Sequence, residues 1–239
     1  MSAATDTRQH RRAPADEDSA RAPGALLQLC AITRSYAGRP VLSGLDLSLQ
    51  AGTVTWVGGR NGAGKTTMLR IAAGLIEPHA GSLSALGIDP RRHRARYQRL
   101  VSFLPAGDRG LYARLSVRRH LEFCARISML DAAESRELIE AALLTFELSE
   151  LSERRVDRMS MGQRQRLRLA ITMLSRPRLL LLDEPLTSLD AEGAGLLRAA
   201  VERLCSDGGA VLWCSPTGEQ PDLELEQTLT LQEGVLVAA

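Results

Sequence analysis

Lys65 is the only lysine in the sequence, and it stands in the stretch WVGGRNGAGKTTMLR, residues 56 to 70. Of the 30 basic residues the other 29 are arginine, so this position selects something a guanidinium lacks. Lysine ends in a compact ammonium with three donors on a thin stem, whereas arginine ends in a broad planar fork. A tight loop wrapped around phosphates has room only for the first. Gly59-Arg60-Asn61-Gly62-Ala63-Gly64-Lys65-Thr66 fits the pattern G-x-x-x-x-G-K-[ST]. In that pattern backbone N–H groups cradle phosphates, the lysine reaches the terminal ones, and the last hydroxyl, here Thr66, faces Mg²⁺.

A phosphate loop needs a partner for the metal, and the apolar run Leu179 to Leu182 ends in Asp183 and Glu184. Four leucines in a row suit a buried parallel strand, and α/β sheets present ligand residues at strand ends. Neighbouring side chains on a strand diverge, so Asp183 is expected to serve the metal and Glu184 to face an attacking water. A third group, Ser160-Met161-Gly162-Gln163, opens a helix. Ser160 and Gln163 have the spacing of a capping box, and the free N–H groups of such a start form an anion site.

The elements that must hold these groups are legible around them. Thr53 to Val57 reads as a strand before the loop, and Thr66 to Ala73 as a helix ended by Gly74. Upstream, LLQLCAIT reads as a strand, and VLSGLDLSLQAG alternates Leu45, Leu47 and Leu49 towards one face. GSLSALGIDP gives a short strand and a turn. From Ser116 to Glu150 the pattern is helical, with Asp131 and Glu134 as a capping pair and Leu138, Ala142 and Phe146 on one face. Strands resume at RLLLLDEP and GAVLWCS, and TLTLQEGVLVAA reads as a hairpin turning at Glu233-Gly234. The expected class is α/β, a mixed and mainly parallel sheet with a small antiparallel part and a helical insert at about residues 108 to 160.

In this order the motifs resemble the ATP-binding subunits of ABC transporters, over residues 25 to 239 as one ATP-binding domain with the P-loop NTPase cassette fold. The signature MSMGQ is similar to the family's LSGGQ, with Met159 and Met161 as departures. The loop GRNGAGKTT, through Thr67, is close to the family's usual form, and Ser188-Leu189-Asp190 follows Leu-Asp-Glu-Pro as in the family. The resemblance implies that Tyr36 stacks on adenine, that Asp190 belongs to the segment after the carboxylates, and that two such domains form a head-to-tail dimer. Each ATP would then lie between one phosphate loop and the Ser160 to Gln163 turn of the other subunit. It further implies a homodimer or heterodimer that hydrolyses MgATP for transmembrane permease subunits, peripheral on the cytoplasmic face of the membrane. The wording GDRGLY…RLS looks like an export-type bacterial subset.

Two departures bear on catalysis. Ala106 and Gly107 stand where the family has a glutamine, with Asp108 the nearest polar substitute. The family also has a histidine near Pro216 that contacts the γ-phosphate, whereas His10, His79, His93 and His120 all precede Asp131. Ser215 is the first candidate to fill that role.

Composition narrows the alternatives. Net charge is +2 and aromatics are 3%, which favours neither a basic nucleic-acid surface nor a stacking platform. Cys30, Cys124, Cys205 and Cys214 form no C-x-x-C pair and read as reduced thiols. Residues 1 to 24 have mixed charge and no apolar core, and read as a disordered tail rather than an export signal. No apolar run approaches the roughly 20 residues needed to span a bilayer. Two other functions remain open: a degenerate cassette that binds ATP as a regulatory ligand, and an ABC-type ATPase acting on ribosomes or DNA.

Overall fold

The computed structural model describes residues 25–108 and 110–239. The expected tail, residues 1 to 24, lies outside the described residues. Three leucine- and valine-rich segments form the centre: β3 (Val54–Gly58), β6 (Leu179–Asp183) and β7 (Ala210–Cys214), every residue of which is buried. They lie in a six-stranded sheet of order β5-β6-β7-β3-β8-β9, with β5 (Val101–Leu104), β8 (Gln227–Gln232) and β9 (Val235–Ala238). The first five strands are parallel, and β9 returns antiparallel on β8. The turn between those two strands places Glu233 and Gly234 both at positive φ, 47° and 82°. Such a two-residue turn matches the twist of a hairpin.

Because successive side chains on a strand point to opposite faces, the central sheet feeds two cores. Val57, Leu179, Leu181, Leu212 and Cys214 face one, and Trp56, Leu180, Leu182, Val211 and Trp213 face the other. The first core is roofed by a separate antiparallel sheet of order β2-β1-β4, built from β1 (Ala25–Tyr36), β2 (Arg39–Gln50) and β4 (Ala80–Ala85). The alternation of β2 is realised: Leu45, Leu47 and Leu49 are buried in that core. Helix α1 (Lys65–Ala72) adds Met68, Leu69 and Ile71 to it.

One helix escapes sequence reasoning. α2 (Arg94–Leu100) carries RARYQRL, of which only Tyr97 is buried, so no apolar period marks it. Tyr97 anchors it by donating its hydroxyl to the Ala72 carbonyl at the end of α1.

The second core is covered by α3 (Val117–Ile127), α4 (Ala132–Thr145), α5 (Met161–Met173) and α6 (Ala191–Ser206). Ser116 caps α3 by accepting from the Arg119 N–H, and Asp131 caps α4 by accepting from Ala133 and Glu134. Between β5 and β6 the described residues hold α3, α4 and α5 and no strand. Among the described residues no helix is long and apolar enough to cross a membrane. The architecture is an α/β cassette whose parallel strands β3, β6 and β7 end together, and the chemistry-bearing residues follow those ends.

Candidate functional site

The loop after β3 turns sharply and opens α1. Ala63 donates its N–H to the Arg60 carbonyl at 3.1 Å, and Gly64 adopts φ 109° as the residue before the helix. A Cβ at Gly64 would lie 3.1 Å from the Val41 carbonyl oxygen and 3.0 Å from a Val41 side-chain carbon, so β2 closes over the loop where only glycine fits. Lys65 is the first residue of α1 and is only 5% exposed. Its Nζ donates to the carbonyls of Gly59 at 2.6 Å and Arg60 at 3.3 Å. The ammonium thus folds back over its own loop, where a planar fork has no comparable pair of acceptors.

A cavity of about 380 Å³ lies against this loop, lined by Val41, Asn61, Gly62, Gly64 to Thr67 and Glu184. One carboxylate therefore reaches the phosphate loop directly. The other, Asp183, is 2% exposed and accepts a 2.7 Å hydrogen bond from the Thr66 hydroxyl. Burial pushes the Asp183 carboxyl up, and the Thr66 hydroxyl, the Ala106 N–H and the charges of Lys65 and Arg70 oppose that shift. Thr66 and Asp183 present hard oxygen donors, and no cluster of three or more His, Cys, Asp or Glu exists among the described residues. That donor set fits Mg²⁺, which is held by one or two protein oxygens and completed by phosphates and water.

Strand alternation was expected to separate the two carboxylates, but the structure uses another device. β6 ends at Asp183, and Glu184 adopts φ 49°, in the left-handed region. Its N–H still donates to the Cys214 carbonyl at 2.8 Å, so the backbone is pinned to β7 while the side chain turns into the cavity. A non-glycine residue in this conformation costs about 1–3 kcal/mol, and such strain clusters where function requires a particular aim.

Tyr36 ends β1, is 44% exposed, and carries the Arg34 guanidinium 5.0 Å above its ring centroid. At the start of α5 the capping box is complete. Ser160 Oγ accepts from the Gln163 N–H at 3.2 Å, and Gln163 Oε1 accepts from the Ser160 N–H at 3.1 Å. The Ser160 hydroxyl proton stays free to donate outward. Met161 is 57% exposed beside it, and Gly162 packs so that a Cβ would meet the Ser188 carbonyl at 3.4 Å. None of residues 160–163 lines the Lys65 cavity of the same chain. Asp190 caps α6 by accepting from the Gly193 N–H at 2.8 Å and also meets Arg166 at 3.3 Å. The Gly193 N–H first, and then Arg166, hold its carboxyl below the usual range.

Two candidate substitutes find other partners. Ser215 Oγ accepts from the Trp56 indole N–H at 2.7 Å and donates to the Glu219 carbonyl at 2.6 Å, so its hydroxyl is committed within the fold. Asp108 is exposed; burial lowers the pKa of Arg168, and the charge of Asp108 only partly opposes that shift. Sequence reasoning missed Arg168 and Gln165, whose side chains tie α5 to the loops on either side of the carboxylates. Their only signal was a polar run, RQRLR, on a helix that the fold buries.

Comparison with known proteins agrees with this geometry. The family model described as ABC transporter matches residues 42–187. The ABC transporter ATP-binding protein NatA of Bacillus subtilis (strain 168) is 30% identical over 81% of this chain and 78% of its own length. The cytochrome c biogenesis ATP-binding export protein CcmA of Cupriavidus pinatubonensis is 36% identical over 79% of this chain and 82% of its own length. Among solved structures, an ATP-binding subunit of an ABC transporter superposes with a TM-score of 0.81 at 24% identity, covering 89% of this chain and 90% of that one. Members of this family are in general ATP-binding ATPases that work with membrane permeases. The chain belongs to the ABC transporter family, as a nucleotide-binding domain.

Proposed function

We propose that this chain binds MgATP in the cavity around Lys65 and hydrolyses it as the energy-coupling subunit of a transporter with separate membrane-spanning chains. The observation that carries this is the convergence of three groups. They are a buried lysine bonded to its own loop, the Thr66–Asp183 pair, and Glu184 turned into the same cavity. On binding, Lys65 exchanges the Gly59 and Arg60 carbonyls for phosphate oxygens, and the N–H groups of residues 60–66 bond the same anion at the start of α1. Mg²⁺, held by Thr66 and Asp183, would neutralise charge on the terminal phosphates. Glu184 polarises the attacking water as general base. Ser160, with its free hydroxyl proton at the N-terminus of α5, faces the nucleotide of a second subunit in a head-to-tail dimer.

We take an exposed apolar group beside α3 as the surface that meets the membrane partner. Tyr112 packs edge-on against Phe123 at 5.3 Å, and Ile127 lies one turn further along α3 with Met129 beyond it, all exposed. We take export as the direction, since the CcmA relative is named as an export protein. Co-expression with a membrane subunit should carry the chain into the membrane fraction, and Ile127→Asp should return it to the supernatant. Recovery in the supernatant whatever membrane subunit is supplied would count against the transport role.

A second outcome, ATP binding with little turnover, is favoured by the commitment of Ser215 to Trp56 and Glu219. Each fixed donor aimed at the charge of a transition state contributes about 10²–10³ in rate. The isolated chain should therefore be a slow ATPase. Pro216→His or Thr217→His should raise kcat while leaving ATP affinity unchanged. Brisk turnover by the unmodified chain would show that another group supplies the donor.

A further inference from the structure

The near-even balance of 30 basic and 28 acidic residues hides one segment of a single sign. Between Pro90 and Leu100 stand five arginines, Arg91, Arg92, Arg94, Arg96 and Arg99, and no carboxylate. All five are exposed, and on α2 only Tyr97 is buried, anchored to the Ala72 carbonyl. Arg91 meets Asp89 at 2.9 Å, and Arg94 Nη1 donates to the Gly74 carbonyl at 3.5 Å. Arg96 and Arg99 stand three apart on α2, as neighbours on the helix surface, and form no ion pair among the described residues. An apolar edge adjoins them. Leu75, in the loop after α1, is 48% exposed, and with Ile76, Pro90, Arg91 and Arg94 it lines a cavity of about 340 Å³. Of the lining residues Glu77 and Asp89 are acidic, and Asp89 is taken by Arg91.

We propose that this basic turn and helix, together with Leu75, form a contact surface for the anionic headgroups of a lipid bilayer. The occupant follows from two chemistries side by side. Clustered arginines are drawn to the phosphates of an anionic leaflet, each adding about 5-fold to partitioning. An exposed leucine beside them enters the boundary between headgroups and acyl chains. A nucleic acid supplies phosphates but no hydrocarbon for Leu75. The one aromatic of the segment, Tyr97, is buried and offers no ring to a base. An acidic protein segment is the remaining competitor, and the test tells the two apart. Members of this family work with membrane permeases, so a bilayer lies within reach. A weak lipid contact then acts with the permease contact as the second arm of a bivalent attachment. The surface uses neither the phosphate loop nor the carboxylates after β6, so it stands or falls independently of the nucleotide reading.

The test is co-sedimentation of the full chain, without nucleotide or permease, with vesicles of phosphatidylcholine alone or mixed with phosphatidylglycerol. Binding to the mixed vesicles is expected, and it should weaken as salt rises because exposed charges are screened. Arg96→Gln combined with Arg99→Gln should lower the partition constant about 25-fold, two steps of about 5-fold each. Arg126→Gln combined with Arg136→Gln removes the same charge from exposed positions on α3 and α4 and should bind as wild type does. A Leu75→Trp variant reads insertion, because Trp56 and Trp213 are each only 2% exposed and supply a constant background. Its added fluorescence should shift to shorter wavelength and be quenched by brominated acyl chains, in the mixed vesicles alone. Thermal unfolding should match wild type throughout, and if the Arg96 and Arg99 double variant does not fold, Arg99→Gln decides by its own loss of about 5-fold. Absence of binding to the mixed vesicles, or an equal loss in both double variants, overturns the proposal. Binding that leaves Leu75→Trp unquenched overturns it as well, and points to an acidic protein segment as the occupant.

Discussion

Lys65→Arg should lower ATP turnover by at least about 10²-fold, the loss typical when one preorganised donor to a reacting group is removed, although arginine is this protein's usual cation and the charge is kept. The expectation comes from burial and reach. Lys65 is 5% exposed, and its Nζ sits 2.6 Å from the Gly59 carbonyl inside a turn closed by Val41. A guanidinium is wider and carries its donors in a fixed plane. To enter, it must push the loop open or leave its donors unpaired. Lys65→Ala should lose activity at least as fully, since the terminal phosphates then lack their buried counter-charge. Phosphate release and titration with a fluorescent ATP analogue read the two effects. Turnover close to wild type in the arginine variant would show that the tight fit around position 65 is not what selects lysine.

Glu184→Gln should cut hydrolysis by about 10²–10⁴-fold, the range for loss of a general base, and leave MgATP binding in place. The amide keeps the size and the left-handed backbone of Glu184 but cannot take a proton from water. Asp183 and its Thr66 hydrogen bond are untouched, so the proposed Mg²⁺ contact should persist. Glu184→Gly is the useful companion, because glycine relieves the positive φ while also removing the carboxylate. Both variants should be slow, and a glycine variant that hydrolyses ATP normally would rule out the carboxylate as base.

The parts of this site that were legible in the sequence are those whose chemistry is local. A turn that demands glycine at Gly64 and a single lysine beside it are written in consecutive residues, and so is the capping box of Ser160 and Gln163. The two buried faces of the central sheet were legible for a similar reason, since runs such as Leu179 to Leu182 need apolar cover on both sides. What was not legible depends on partners far away in the chain. The antiparallel strands form their own sheet because β1 pairs with both β2 and β4, Leu27 meeting Leu49 on one side and Ala85 on the other. The hydroxyl of Ser215 is bound by an indole 159 residues earlier. Arg168 reads in the sequence as one more exposed arginine, and only the approach of the Pro105 to Gly107 loop makes it a buried one. The divergence of Asp183 and Glu184 was anticipated from strand alternation, yet its cause is a single left-handed residue after the strand.

The central claim is that Lys65, Asp183 and Glu184 surround one MgATP, shared with the Ser160 helix of a second subunit. Native mass spectrometry of the full-length Glu184→Gln chain with MgATP tests this most directly, because it counts protein chains and nucleotides in the same species. Two chains with two ATP are expected, and adding Lys65→Ala should remove the nucleotide and the dimer together. Nucleotide that stays bound after Lys65→Ala, or a Glu184→Gln chain that takes up no ATP at all, would contradict the account.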